Sequence, residues 1–239
     1  MSNSVSNYKD PRRKVGSQSE TPVIKYQGQN LVVGGYQNFI INKKTRKITF
    51  LSKIKKFSYI SDLLDNLNKR GNCNSIVDIG CNSGLSSLIA FNQNFKRIIS
   101  LDHDPEYINT LRAIKNQCNI TSINERQFSF GDKFNETFDV VFCGAIIHWI
   151  FSLTADFRNF DNIMEYLLSA TNKYLVIEWI SENDGAINSF NHIKRSRNPR
   201  DEEYTTANFE RSINKYARIM SKQAVDGGGT RIIYVLQEL

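Results

Sequence analysis

The chain has 239 residues, 40% of them hydrophobic and 23% charged, with a formal net charge of +7; these are the proportions of a globular protein long enough to bury a substantial core. No apolar run reaches the roughly 18–20 residues needed to span a bilayer, and the opening stretch "MSNSVSNYKDPRRKVGSQSE" lacks the apolar centre of a secretory signal. Four scattered cysteines (Cys73, Cys81, Cys118, Cys143), no C-x-x-C pair and only three histidines argue against a structural zinc site and a disulfide framework, so a reduced, intracellular (cytoplasmic) protein without a metal is expected.

The positive charge sits at the front. Residues 1–56 carry twelve basic side chains against Asp10 and Glu20, a net +10 that leaves −3 for the remainder. Either a polyanionic partner such as RNA or a solvated leader accounts for that asymmetry. Residues 1–20 are polar and read as a disordered leader, and 21–56 as a basic extension or cap. Residues 57–239 read as the main domain. Within the extension, "NLVVGGYQNFIINKKTRKITFL" reads as two short strands around "NKKTRK" or as an irregular cap.

"FSYISDLLDNLNKRG" places Tyr59, Ile60, Leu63, Leu64 and Leu67 at helical spacing and closes on Gly71. An alternation of strand and helix follows. "SIVDIG" is a strand, "LSSLIAFNQ" a helix, "RIISLDHD" a strand and "PEYINTLRAIKNQ" a helix with Pro105 in its first turn. "ERQFSFGD" is expected as the third strand and "FDVVFCGAIIHWI" as the fourth; the helix "FDNIMEYLLSA" and the strand "KYLVIEWI" come next. Apolar strands separated by helices are what a parallel sheet covered on both faces requires. The helix "TANFERSINKYA" precedes two β-like runs, "RIMSKQAV" and "TRIIYVLQEL", around a glycine turn, which together form a hairpin. The fold class is therefore α/β: a doubly wound, mostly parallel sheet of seven strands ending in an antiparallel hairpin.

In such a sheet, ligands gather at the carboxyl ends of the strands. The first strand ends at Asp78-Ile79-Gly80, and Gly84 follows after three intervening residues. Glycine lets the backbone turn sharply and approach a ligand without a Cβ in the way. Asp102 closes the second strand, where a carboxylate can accept hydrogen bonds from ribose hydroxyls. Asp132 closes the third, placed for an adenine amino group. Taken singly, each is as well explained by a turn or a helix cap.

Together the stretches "VDIGCNSG", "ISLDHD", "FSFGD", "FDVVFCGAIIHWI" and "YLVIEWI" resemble the class I S-adenosylmethionine-dependent methyltransferases, in that family's order, from about Phe57 to the C-terminus. The resemblance implies a backbone-lined pocket for the donor's methionine part at Gly80–Gly84, including Cys81 and Asn82, with Asp78 near its ammonium group. It implies Asp102 at the ribose and Asp132 at the adenine, with His103 and Cys143 also among the donor-binding residues. Asn82 stands where some members carry glycine, and asparagine is the residue that next most readily tolerates a left-handed backbone.

On the acceptor side, His148 in "CGAIIHWIFS" is expected as a general base, or as a packed histidine beside the pocket. Trp149 and Phe151 are expected to wall the acceptor, Trp179 to face the same region, and Glu178 to be a second base or an orienting acceptor. Arg195, Arg197 and Arg200 would clamp a phosphate or carboxylate, or are simply solvated. The motif sets of the amino-directed and C5-directed DNA enzymes and of the ribose 2′-O cap enzymes are absent. The reading is therefore methyl transfer to oxygen or nitrogen of an acceptor that is RNA or a small molecule. The alternative is a nucleic-acid-binding subunit with a catalytically degenerate methyltransferase fold; a dinucleotide oxidoreductase is more distant.

Overall fold

Among the described residues two sheets carry the architecture, one of four strands and one of seven. The computed structural model describes residues 23–26, 29–33, 37–189 and 202–239, so the expected leader and Arg195, Arg197 and Arg200 lie outside the described residues.

The smaller sheet is an antiparallel meander of β1 (Val23–Tyr26), β2 (Gln29–Val33), β3 (Phe39–Asn42) and β4 (Ile48–Phe50). The strands expected around "NKKTRK" are β3 and β4. Their turn is closed by the Asn42 side chain, whose Oδ1 accepts the backbone N–H groups of Lys44 and Thr45 at 2.9 and 2.8 Å. Phe39 and Ile41 are fully buried and join the same core as Phe57, Ile60 and Leu64 of α1 (Ile54–Lys69) and Leu85 and Leu88 of α2 (Leu85–Asn92). Arg46 adds a polar link, donating to the carbonyls of Cys118 and Asn119 at 3.1 and 3.2 Å.

The larger sheet comprises β5 (Ser75–Ile79), β6 (Arg97–Asp102), β7 (Ile123–Gln127), β8 (Phe138–Cys143), β9 (Thr171–Ile180), β10 (Ala217–Ala224) and β11 (Arg231–Glu238). Their order is β10-β11-β9-β8-β5-β6-β7. The pairs among β5 to β9 are parallel, whereas β11 runs antiparallel to both β9 and β10. Because side chains alternate across a strand, Val77, Ile99, Val141 and Ile177 pack on one face. That face is covered by α4 (Ile147–Leu153), α5 (Phe160–Leu168) and α7 (Thr206–Tyr216). Ile76, Ile98, Val140 and Val176 pack on the other, under α1, α2 and α3 (Pro105–Cys118). The short α6 (Gly185–Ser189) follows β9.

Two expected strands are shorter than the sequence predicts. The third ends at Gln127, and Phe128–Asp132 turns away through Gly131 at φ +104°. Its polar sequence reflects an edge position with one neighbour. The fourth ends at Cys143; Ala145 at φ +55° breaks it, so His148 and Trp149 lie on α4 rather than on a strand. A continuous apolar run has no period that separates a buried strand from a buried helix. Among the described residues no helix is long and apolar enough to cross a membrane.

Candidate active site

The carboxyl ends of β5 and β6 meet at the glycine turn. Gly80, Asn82 and Gly84 all take left-handed backbone angles, with φ of +74°, +53° and +86°. A Cβ on Gly80 would lie 2.2 Å from Ile146 Cδ1, and one on Gly84 2.4 Å from Leu111 Cδ1. Both positions therefore exclude a side chain by conformation and by space. The turn is pinned to β6, because the N–H groups of Gly80 and Cys81 donate to the Leu101 carbonyl at 2.8 and 3.0 Å.

Asp102 binds the middle of this turn. Its Oδ2 accepts the Asn82 N–H at 2.8 Å, and its Oδ1 accepts the Asp104 N–H at 3.0 Å. Each carboxylate oxygen has further acceptor capacity for a hydroxyl. The exposed His103 ring lies 3.3 Å from Asp102 Oδ1, and that hydrogen bond raises the imidazole pKa above its ordinary value. A loop that a Cβ would fill, beside a carboxylate at the second strand end, fits an adenosyl group with a methionine part.

Asp78 is buried and bonded to α2. Its carboxylate, buried under α2, accepts from Ser87 Oγ at 2.7 Å, and Ser100 Oγ donates to Ser87 Oγ at 2.6 Å. Burial pushes its pKa up to about 7. Asp132 is exposed and closes its own turn by accepting the Ser129 N–H at 3.0 Å. Beside it lie half-buried aromatics that sequence reading missed: Phe128 stacks on Phe134 at 5.4 Å, and Tyr166 donates from its hydroxyl to the Asp132 carbonyl at 2.7 Å. Cys143 needs correction as a donor contact, because its side chain is fully buried in the core under α4 and α5.

Gln37 also escaped the sequence reading. The amide Oε1 accepts the Leu85 N–H at 2.8 Å and the Ser83 hydroxyl at 3.0 Å, and Nε2 donates to the Cys81 carbonyl at 3.4 Å. The residue preceding α2 is Gly84, which has no side chain to cap the helix. Gln37 supplies that cap from 48 residues away.

At the β8–β9 end, His148 is 3% exposed in the first turn of α4, with its ring centroid 5.4 Å from that of the half-buried Trp149. Phe151 and Trp179 do not wall an acceptor. Phe151 stacks on Phe160 at 4.7 Å. The Trp179 indole lies 4.2 Å from Phe209 at an interplanar angle of 6°, and its Nε1 donates to Thr206 Oγ1 at 3.0 Å. Strand alternation sends Trp179 to the α5–α7 face and Glu178 to the α1 face. There Glu178 is 1% exposed and Lys56 Nζ lies 2.8 Å from its Oε1 and 2.6 Å from its Oε2.

Residues 61–167 match the family model described as ribosomal protein L11 methyltransferase. No curated protein matches the sequence. Among solved structures, the chain is similar to magnesium protoporphyrin IX methyltransferase from Synechocystis PCC 6803 with bound S-adenosylhomocysteine. The two share 12% identity at a TM-score of 0.56, over 80% of this chain and 89% of that one. It is also similar to the N-methyltransferase NodS from Bradyrhizobium japonicum WM9, at 11% identity and a TM-score of 0.56, over 77% and 94% of the two chains. The ribosomal protein L11 methylase from Lactobacillus delbrueckii subsp. bulgaricus aligns at 14% identity and a TM-score of 0.52, over 76% and 78%.

The chain has the class I methyltransferase fold, and its middle matches a methyltransferase family model. S-adenosylmethionine is the donor of this class, and a neighbour binds it in its crystal structure. In this fold the turn of Gly80 to Gly84 stands at the carboxyl end of β5, with Asp102 alongside. The structure groups Asn82, Asp102 and His103 in one hydrogen-bonded set and leaves Asp132 on a separate turn.

Proposed function

We propose that the chain transfers a methyl group from S-adenosylmethionine to an oxygen or nitrogen atom of its acceptor. The observation that carries the reading is the run of left-handed residues at 80, 82 and 84 beside the Asp102 carboxylate. In this reading the backbone of 80–84 receives the donor's methionine part and Asp102 the ribose hydroxyls. The turn at 128–132, with its aromatic neighbours, receives the adenine. S-adenosylmethionine, when bound, supplies a methyl group already activated by its sulfonium. What remains for the protein is to orient the acceptor in line, exclude water and remove a proton where the acceptor bears one. His148 is the proposed base, sheltered from solvent at the start of α4. Glu178 is already held by Lys56, which supports a structural part for it rather than proton transfer.

The structural relatives carry names with unlike acceptors, a porphyrin and a ribosomal protein among them, so they favour no single acceptor for this chain. The test is a methylation screen with labelled donor over RNA, protein and metabolite pools, with Gly80→Arg as the control. Incorporation into one pool by wild type alone supports the reading. Equal incorporation by the control would refute it.

A further inference from the structure

A second feature stands at the same edge of the sheet. Between the start of α1 and the β10–β11 turn lies a cavity of about 320 Å³ whose wall includes Lys53, Lys55, Lys56 and Arg231 and a single carboxylate, Asp226. Ile54 and Val225 supply its apolar part. Two of the cations, Lys56 and Arg231, are held by carboxylates set behind the wall. Glu178 fixes Lys56 through both of its oxygens and lies 3.9 Å from Arg231 Nη1, while Asp184 Oδ2 accepts from Arg231 Nε at 3.0 Å. Asp226 is engaged by its own turn, accepting from the Thr230 hydroxyl at 2.8 Å and the Arg231 N–H at 3.1 Å. Those bonds draw its oxygens toward the backbone and, against the opposing effect of burial, keep its pKa below the usual range. Even with Glu178 and Asp184 counted, the cations outnumber the carboxylates. The rim residues Lys53 and Lys55 are exposed, and the first turn of α1 contains no acid.

A buried ion pair adds little net stability relative to apolar residues of the same volume. It does fix the position of a charge, and a fixed cation facing a cavity is pre-organised for an anion. Lys53 itself sits at φ +50°, a left-handed angle uncommon for a long side chain.

We infer that this cavity binds an oxyanion, a phosphate or carboxylate, carried by the acceptor. The inference rests on the proposed methyltransferase function and deepens it by naming the chemistry of the substrate. The cavity opens beside β11, and in the strand order β11 stands three steps from β5, a separation of about 14 Å at the usual strand spacing. An acceptor anchored there by its anion reaches the end of β8 with the atom to be methylated. Its body lies along Ile54 and Val225, so the fitting acceptor is amphipathic, with an apolar portion next to its anionic end.

The test uses the full chain, titrated with inorganic phosphate and separately with benzoate at constant ionic strength, and followed by backbone amide chemical shifts. S-adenosylhomocysteine affinity is measured alongside by calorimetry. Saturable shifts at residues 53–56 and 225–231 are expected with at least one anion. The double variant Lys53→Glu/Lys55→Glu, altered only at exposed side chains, should weaken that binding about tenfold or more and leave S-adenosylhomocysteine affinity within about twofold. Stronger binding of phosphate than of benzoate identifies a phosphoryl acceptor, and the reverse a carboxylate. Shifts that fail to saturate for both anions, or equal binding by the double variant, would overturn the inference. Anion binding by a protein that does not bind S-adenosylhomocysteine would sink the donor reading, and the acceptor role of the cavity with it.

Discussion

At the β5–β6 end of the sheet's carboxyl edge the chain presents its backbone, and at the β9–β11 end its charges. The first region is defined by three left-handed residues and by N–H groups donated to Leu101 and Asp102. The second is defined by Lys56 and Arg231 set against Glu178 and Asp184. A site made of backbone geometry is sensitive to which side chains a residue carries only where they clash or strain. A site made of buried charge is sensitive to any imbalance. The two ends should therefore fail in different ways.

The largest effect is expected at the charged end. Lys56→Met leaves Glu178 buried with only the more distant Arg231 opposite it, which should cost about 3–5 kcal/mol of stability in chemical denaturation. Adding Glu178→Gln to Lys56→Met should restore a good part of that loss. A double variant no more stable than Lys56→Met would show that the pair is not the source. At the backbone end, Gly80→Val combines a left-handed angle with a Cβ driven into Ile146. Roughly 2–4 kcal/mol of stability, and measurable donor affinity with it, should be lost.

Asp78 gives a prediction of another kind. Its pKa is raised by burial from the ordinary range near 4 to about 7. The folded chain therefore holds this proton more tightly than the unfolded chain. Its contribution is fully present below about pH 4 and is lost as the pH rises through about 7. Asp78→Asn keeps an acceptor for Ser87 and removes the titration. Relative to wild type, the variant should gain stability between pH 5 and pH 8, by up to a few kcal/mol. Parallel urea midpoints for the two proteins across that range would contradict the assignment.

Smaller effects separate conformation from side chain at the turn itself. Asn82→Val must hold a β-branched residue at φ +53°, so donor affinity should fall about tenfold, the equivalent of about 1.4 kcal/mol. Asn82→Gly should stay within a few-fold of wild type in the same calorimetric titration. The smallest change is expected for Gln37→Ala, which removes a cap from α2 and should cost about 1 kcal/mol.

The same contrast explains what the sequence made legible. A left-handed turn restricts the residue type at each position, so Gly80, Asn82 and Gly84 announce the loop, and Asp102 follows at a spacing set by one helix and one strand. The closing hairpin is likewise visible in its glycine turn. The charged end leaves no such mark. Lys56 and Glu178 are 122 residues apart, and nothing local in either stretch specifies the other. Trp179 and Glu178 are neighbours in sequence, and which sheet face each one takes depends on strand parity, which a strand buried on both faces conceals. Gln37 belongs with these, because a helix cap supplied from a distant segment has no sequence signature. The turn from β8 into α4 was hidden for the related reason that "FDVVFCGAIIHWI" is almost wholly apolar.

The most direct test of the donor site is calorimetric titration of S-adenosylhomocysteine into wild type, Gly80→Arg and Asp102→Ala, each first checked for folding by circular dichroism. Single-site saturable binding to wild type is expected, abolished in the first variant and weakened about tenfold or more in the second, as befits loss of charge-assisted hydrogen bonds. Folded variants that bind as tightly as wild type would place the donor elsewhere on the molecule.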